Sequence, residues 1–349
     1  MQKIIEEIKL DFDDVLIVPQ RNNLVSRKDV DLTRTIQFKW SNETWTGVPI
    51  IAANMATVAS FEMALALHKH GIMTAVHKHY SVSELRAFFS LPAAGQSAWY
   101  TMGTSEVEFK KFQRVQNALS TPIQRICVDV ANGYRQCFLE SINDIRQKLP
   151  TTTIMAGNVA TPEQARDLIC AGADLVKCGL GSGGGCLTRL KTGVGYPQLS
   201  AVMECAEAVY EVDGILCADG GCQYPGDIAK AFGAGAHMVM VGSMLAGHDE
   251  VSAHRSTDKD GNIFIDFYGE SSKKAMDKHH NGMSSYRTSE GRHVKIPARG
   301  PVNDTILDIL GGLRSTMTYV GASKISDLDE KVSFVKVNQT HNQIYSNLG

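Results

Sequence analysis

An eight-stranded parallel α/β barrel is the fold class that the sequence predicts, and three observations predict it. Short apolar runs recur along the chain, each closed by a turn rich in Gly, Asn or Asp and most followed by a helical stretch. The runs are apolar at successive positions, as strands covered on both faces in a parallel sheet must be. Eight of them, at a spacing of roughly 25–40 residues, suit a closed (β/α)8 TIM barrel better than a six-stranded open sheet.

The candidate strands, in order, are Pro49–Ala53, Met73–Val76, Trp99–Met102, Ile126–Val130, Thr153–Ala156, Leu175–Cys178, Ile215–Ala218 and Met238–Val241. Helices between them carry recognisable starts: Pro162–Ala171 follows the N-cap candidate Thr161, and Pro225–Phe232 also opens on proline. Two segments break the rhythm. Residues 249–293 are polar and irregular, and Asp260–Gly261 followed by an alternating run predicts a hairpin turn. A calcium loop is excluded there because the glycine comes too early in the motif. Arg292–Asp304 is extended and proline-broken, ahead of a helix at Ile306–Tyr319. An insertion after the last barrel strand is where a lid or active-site flap belongs. The expected organisation is a single barrel domain over residues 1–349, with a flap at about 249–293 and a C-terminal segment 294–349.

Composition narrows the partners. The chain is 43% hydrophobic and 21% charged with a formal net charge of −2, so bulk charge gives no reason to expect nucleic acid or a membrane surface. Eight cysteines (127, 137, 170, 178, 186, 205, 217 and 222) are scattered through predicted core elements without CxxC spacing, which points to a reducing, cytoplasmic setting. The N-terminus lacks an apolar signal core and no stretch approaches about 18 consecutive apolar residues. The glycosylation-like triplets at Asn42 and Asn338 are then chance matches.

The working face of a barrel is the set of loops leaving its C-terminal strand ends. Those ends read Asn54, Lys78, Asp129, Asn158, the 179–189 loop, Asp219 and Gly242–Ser243, polar and glycine-rich where the strands are not. The 179–189 loop is GLGSGGGCLTR. Its glycines leave backbone amides and carbonyls bare to a ligand or ion. A dinucleotide fingerprint through Gly179, Gly181 and Gly184 is formally present, but five strands precede it and a cysteine stands at the expected helix start. Cys186 is either a small core hydrophobe or a nucleophile; its neighbours Thr188 and Arg189, at a strand end among bare amides, favour a stabilised thiolate. Phosphate binding has its own argument, since barrels hold phosphate between the last two strand loops, here Asp219–Gly220–Gly221 and Gly242–Ser243. Asp219 would repel a phosphate and suits a sugar diol instead. Cys222 is a weaker nucleophile candidate, His77 and His79 are poorly spaced for a metal, and His279–His280 suits a solvated surface.

The segments VPIIAANM (48–55), TAVHKHYS (74–81), VDVANGY (128–134), KTGVGYPQLSAV (191–202), ADGGCQYPGDIAKAFGAGA (218–236), FYGESS (267–272), YRTSEG (286–291) and ILGGLRSTMTYVGA (309–322) carry a resemblance that runs nearly end to end. The chain resembles the guanosine monophosphate reductase family, smaller relatives of the inosine monophosphate dehydrogenases. The dehydrogenases usually carry a regulatory insert and an Arg-Tyr pair on the flap, neither of which is present here.

The resemblance implies an oxidoreductase of purine nucleotide salvage that converts GMP to IMP and ammonia with NADPH, through a thioimidate on Cys186, with Thr188 and Glu290 handling protons. It implies nucleotide contacts at Asp219, Gly220, Gly221, Gly242, Ser243, Gly269, Glu270, Ser271, Arg287, Thr288, Ser289 and Gly291. For NADPH it implies Ser26, Arg27, Lys78, Asp129, Val130, Ala131, Leu180, Gly181, Tyr286, Arg287, Ser315, Thr316, Met317 and Thr318, with Arg27 and Lys78 suited to a 2′-phosphate. A potassium-type cation would sit at Gly181, Gly183, Cys186 and Arg189, and the assembly would be a homotetramer.

The sequence departs from the family at several of these positions. Ser182 stands where the family loop has proline, Gly184 where it has serine, and Gly185 where a branched residue is usual. Ala56 replaces Asp and Glu270 replaces Met. The expected consequences are a looser loop, one phosphate hydroxyl fewer, a weaker cation site and a carboxylate near the base edge, hence weaker GMP binding before lost chemistry.

Overall fold

A computed structural model describes residues 4–279 and 282–340; His280 and residues 341–349 of the C-terminal segment lie outside the described residues. Eight parallel strands close into a barrel: Ile50–Ala52, Met73–Val76, Ala98–Met102, Arg125–Asp129, Thr153–Val159, Leu175–Cys178, Ile215–Asp219 and Met238–Val241. Each pairs with the next, and the eighth returns to the first through Val239 opposite Ile50 and Val241 opposite Ala52. The largest departure from expectation is the fifth strand, which runs on to Val159. Gly157 and Asn158 look like turn residues, yet Gly157 still pairs with Lys177 and the register shifts before Val159 pairs with Cys178.

Alternation along the strands builds two cores. Ile51, Met73, Trp99, Cys127, Met155, Leu175, Cys217 and Met238 fill the barrel interior, while their neighbours pack outward against the helices. The same alternation turns Asp129, Lys177 and Asp219, each two residues beyond an interior position, inward at the C-terminal end.

The opposite end is plugged by a hairpin, Arg34–Gln37 paired with Thr44–Gly47. Its Ile36, Phe38 and Trp45 join the interior core, with Phe38 edge-on to Trp99 at 6.3 Å. Asp174 fixes the plug to the barrel. Fully buried, it accepts from the amides of Trp40 (2.7 Å), Ser41 (3.0 Å) and Ile154 (2.8 Å) and from Arg146 Nη2 (2.6 Å). Asp174→Ala would leave a buried guanidinium and three amides without their acceptor, and a stability loss of about 3–5 kcal/mol is expected. A drop in the urea midpoint with little change in KM checks it.

The helix Pro162–Cys170 starts on proline with Thr161 in the N-cap position, but the Thr161 side chain does not cap; it accepts from Tyr134 Oη at 3.3 Å. Pro225–Gly233 is capped from within, Asp227 accepting from the amides of Gln223 (3.0 Å) and Tyr224 (3.1 Å). After the eighth strand, Arg255–Thr257, Ile263–Tyr268 and His293–Pro297 form a three-stranded antiparallel sheet. Gly261 turns its first hairpin at φ +86°, and Asp258 Oδ1 accepts the amides of Asp260 and Asn262, both at 2.9 Å. The proline-broken stretch expected beyond the insertion therefore supplies the sheet's third strand. The following helix begins at Asn303, three residues earlier than expected, and ends at Val320 before Gly321 at φ +78°. No helix among the described residues is long and apolar enough to cross a membrane.

Candidate active site

Cys186 reaches its position through a tight turn in which its amide donates to Gly183 O at 2.9 Å. The inserted segment docks on this loop by backbone pairing. Leu187 N donates to Glu290 O at 2.6 Å, Arg292 N donates to Gly185 O at 2.8 Å, and Cys186 and Gly291 form an antiparallel bridge. Gly291 permits the close approach, since a Cβ there would stand 2.7 Å from Ser272 N. Two residues 104 apart in sequence, Cys186 and Glu290, are thereby held on neighbouring strands of backbone.

Side chains complete the connection. The Cys186 thiol donates to Thr188 Oγ1 at 3.1 Å, and Thr188 Oγ1 donates to Glu290 Oε2 at 2.8 Å. Thr188 N also donates to Cys186 Sγ at 3.4 Å. The result is a continuous path from sulfur to carboxylate. Arg189, expected to stabilise the thiolate, turns away: its guanidinium grips Asp11 at 2.7 and 3.2 Å and the Tyr196 carbonyl at 2.6 Å. The sulfur's hydrogen bonds are both to Thr188, whose amide donates to Sγ and whose hydroxyl accepts from the thiol.

This path forms one wall of a cavity of about 260 Å³, lined also by Asp219–Cys222, Gly242, Ser243, Gly269–Ser271 and Gly291. Gly220 and Gly221 have φ of +102° and +84°, backbone that an L side chain resists, and they present this turn to the cavity. A second cavity, of about 530 Å³, holds Lys78, Ser105, Glu108, Asn132, Arg135 and Arg287. The two share Asn54, Asp129, Val130, Ala131, Glu270 and Ser271, so two ligands could lie against each other there. Lys78 pairs with Glu108 at 2.7 Å.

Not every expected residue is brought in. Tyr286, Thr288 and Ser289 line neither cavity. Tyr286 is 84% exposed, and Ser289 Oγ instead secures its own turn, accepting from Lys273 N and donating to Gly291 O, both at 3.1 Å. Ser26, Arg27 and Ser315–Thr318 also line neither cavity. They share another face, where the short helix Arg27–Asp29 packs on Asn303–Val320 and Asn22 Nδ2 donates to Thr318 O at 2.9 Å. The Met317 side chain is fully buried there. Arg27 and Lys78 are thus not neighbours on one wall.

The altered loop is better held than its glycines suggest. Ser182 Oγ donates to Gln198 Oε1 at 2.7 Å, and Gln198 Nε2 donates to Cys178 O at 2.9 Å and Asp219 O at 3.3 Å. Gln198, fully buried at the head of a helix, joins the cysteine loop to the Asp219 turn. Glu270, which lines both cavities, is likewise engaged by other residues. It accepts from the Ala56 amide at 2.6 Å and pairs with His79 Nε2 at 2.9 Å. As for a cation, Gly183 O already accepts the Cys186 amide and Arg189 O that of Gly193, so each carbonyl keeps one lone pair for an ion. No His/Cys/Asp/Glu cluster able to hold a metal occurs among the described residues. His77 is buried with its pKa pushed down to about 3, chiefly by burial, and stacks on Tyr80.

Residues 9–343 match the family model described as the IMP dehydrogenase / GMP reductase domain. The chain belongs to the IMP dehydrogenase / GMP reductase family. It is an oxidoreductase, since both activities in that description are redox conversions of a purine nucleotide. Among its relatives are GMP reductases of Escherichia coli O81 (strain ED1a), Shigella boydii serotype 4 (strain Sb227) and Salmonella arizonae, each 51% identical over 348 residues, covering 99% of this chain and 100% of the relative.

Lys177 was not among the residues singled out from sequence, yet it anchors the cavity floor. Its Nζ lies 2.6 Å from Asp129 Oδ2, 3.1 Å from Asp219 Oδ2 and 3.4 Å from Asn54 Oδ1. Burial alone would depress its pKa, but the two carboxylates overcome this and hold it well above the ordinary lysine value. Asp129, which burial would raise, is kept below the usual carboxylate range by Lys177 and Asn54. Asp219 Oδ2 also accepts from Asn158 Nδ2 at 2.8 Å.

Proposed function

We propose that the chain reduces GMP to IMP with release of ammonia, using NADPH and Cys186 as covalent nucleophile. The observation that carries this reading is the Cys186–Thr188–Glu290 path on the wall of a glycine-rich cavity. As Sγ attacks C2 of the purine, the thiol proton passes through Thr188 Oγ1 to Glu290. The same path returns a proton to the 2-amino group, a poor leaving group until protonated, and ammonia departs from the tetrahedral adduct to leave a thioimidate on Cys186. When bound, NADPH would supply the hydride that C2 accepts; Sγ would then leave C2 as the thiolate, giving IMP. The balance is GMP + NADPH + H+ to IMP + NADP+ + NH3.

Asp219 takes the ribose diol through the carboxylate oxygen not used by Lys177 and Asn158. The amides of Gly220, Gly221 and Gly242 and the Ser243 hydroxyl take the phosphate, and the backbone of Gly269–Ser271 takes the base. Lys78, Asp129–Ala131 and Arg287 of the second cavity, with Leu180 and Gly181 of the first, would hold NADPH. Ser26, Arg27, Ser315, Thr316 and Thr318 would reach the cofactor from a neighbouring copy, with Met317 packed beneath them in the core, which would give a homotetramer of side-by-side barrels a functional reason. Potassium, held by the carbonyls of Gly181, Gly183 and Cys186, would fix the loop's shape.

Following NADPH absorbance with GMP, in potassium and in sodium buffers, tests the reading. Loss of absorbance with GMP supports it; turnover only with IMP and NAD would replace it by the dehydrogenase reaction, and nucleotide binding without turnover by a non-catalytic role.

The loop departures give a finer expectation. A Cβ at Gly184 would meet Ser243 Oγ at 3.5 Å, ordinary contact, and the backbone there is not left-handed. Gly184→Ser is therefore accommodated and places a hydroxyl beside the phosphate turn. A fall of about three- to tenfold in KM for GMP, with kcat unchanged, is expected in steady-state kinetics.

A further inference from the structure

One buried cation lies under both ligand sites. Lys177 is only 2% exposed, and its Nζ is shared between Asp219, which lines the first cavity alone, and Asp129, which lines both. Asn54, the third partner, also lines both. Without the ammonium, two carboxylates that each lie within about 3 Å of one point would repel in a setting of low dielectric. They can stand together only because the cation lies between them.

We propose that Lys177 is a positioning residue for both ligands at once: its ammonium fixes the nucleotide-side carboxylate Asp219 and the cofactor-side carboxylate Asp129 in one rigid floor. The inference rests on the GMP and NADPH assignments above and adds to them a dependence of two separate affinities on one side chain that the cofactor need not touch. Asn158 also donates to Asp219 and Asn54 to Asp129, but each is a neutral donor to one carboxylate, whereas the Lys177 ammonium lies between both.

Lys177→Gln and Lys177→Met remove the charge, the first keeping a donor and so keeping a folded protein if the second does not fold. Equilibrium binding of GMP alone and of NADPH alone is measured for each, beside Asp219→Asn and Asp129→Asn. The expected pattern is that Asp219→Asn weakens GMP only, Asp129→Asn weakens NADPH only, and loss of the Lys177 charge weakens both by about tenfold or more. Lys177→Arg, which keeps the charge, restores a large part of both. The proposal is overturned if a folded Lys177→Gln or Lys177→Met protein binds either ligand as the parent does, which is what a purely structural role predicts. It is equally overturned if Lys177→Arg is as impaired as Lys177→Met. A parent protein that binds neither GMP nor NADPH, or an Asp219→Asn protein with unchanged GMP affinity, would remove the site assignment itself and the inference with it.

Discussion

Cys186→Ala is expected to lower kcat for GMP reduction by at least about 10⁴-fold, the scale on which a covalent nucleophile is lost. GMP affinity should change no more than a few-fold. The ribose, phosphate and base contacts assigned above come from Asp219–Gly221, Gly242–Ser243 and Gly269–Ser271, none of which needs the sulfur. Stability should also be nearly unchanged, because Cys186 is only partly buried and its loop is held by backbone pairing to Glu290 and Arg292. The decisive contrast is with Cys222, which also lines the cavity. Burial raises the Cys222 thiol well above its ordinary pKa, so it is a protonated hydrophobe. Cys222→Ala should retain activity, and equal activity in Cys186→Ala and parent would end the covalent mechanism.

Glu290→Gln is expected to lower kcat by about 10²–10⁴-fold, the usual contribution of a positioned acid–base group. In the described structure Glu290 touches the sulfur only through Thr188 Oγ1, so Thr188→Ala should cost as much as Glu290→Gln. The double variant should then be little worse than the poorer single one, since both substitutions cut one path. Full additivity in this cycle would mean that the two residues act on separate steps. Because Glu290 O and Glu290 N pair with Leu187 and Ser271 through the backbone, the substitution leaves the docking of the inserted segment intact. The loss should fall on kcat and not on the KM for GMP.

The barrel was legible in the sequence because apolar runs of strand length are the direct imprint of burial on two faces. Three of the eight strands have the expected bounds, and the fifth was cut short because Gly157 and Asn158 have turn chemistry while their backbone still pairs. The hairpin plug was missed, since its Ile36, Phe38 and Trp45 are too few and too spaced to announce a buried face. At the site, strand-end chemistry pointed to Cys186, Asp219 and Gly242–Ser243, but Glu290 came only through family resemblance. Nothing local marks a carboxylate 104 residues from its partner. Lys177 did leave a signal that went unused: a lysine inside an otherwise apolar run, two residues after an inward-facing leucine, must find counter-charges in the barrel. Gln198 left none, because a polar residue heading a helix is ordinary. Ser182 reads as a loosening of the loop and Glu270 as a carboxylate near the base edge, yet both are engaged, the one by Gln198 and the other by Ala56 and His79. Partners recruited across loops are invisible to a reading made along the chain.

Covalent catalysis requires a bond between Cys186 Sγ and C2 of the purine. Acid quenching during turnover with GMP and NADPH, followed by peptide mapping by mass spectrometry, detects that bond. The expected result is a purine nucleotide adduct on the peptide bearing Cys186, absent from Cys186→Ala and more abundant when NADPH is scarce. Sustained turnover of GMP with Cys186 unmodified at every quench time, and preserved in Cys186→Ala, would contradict it.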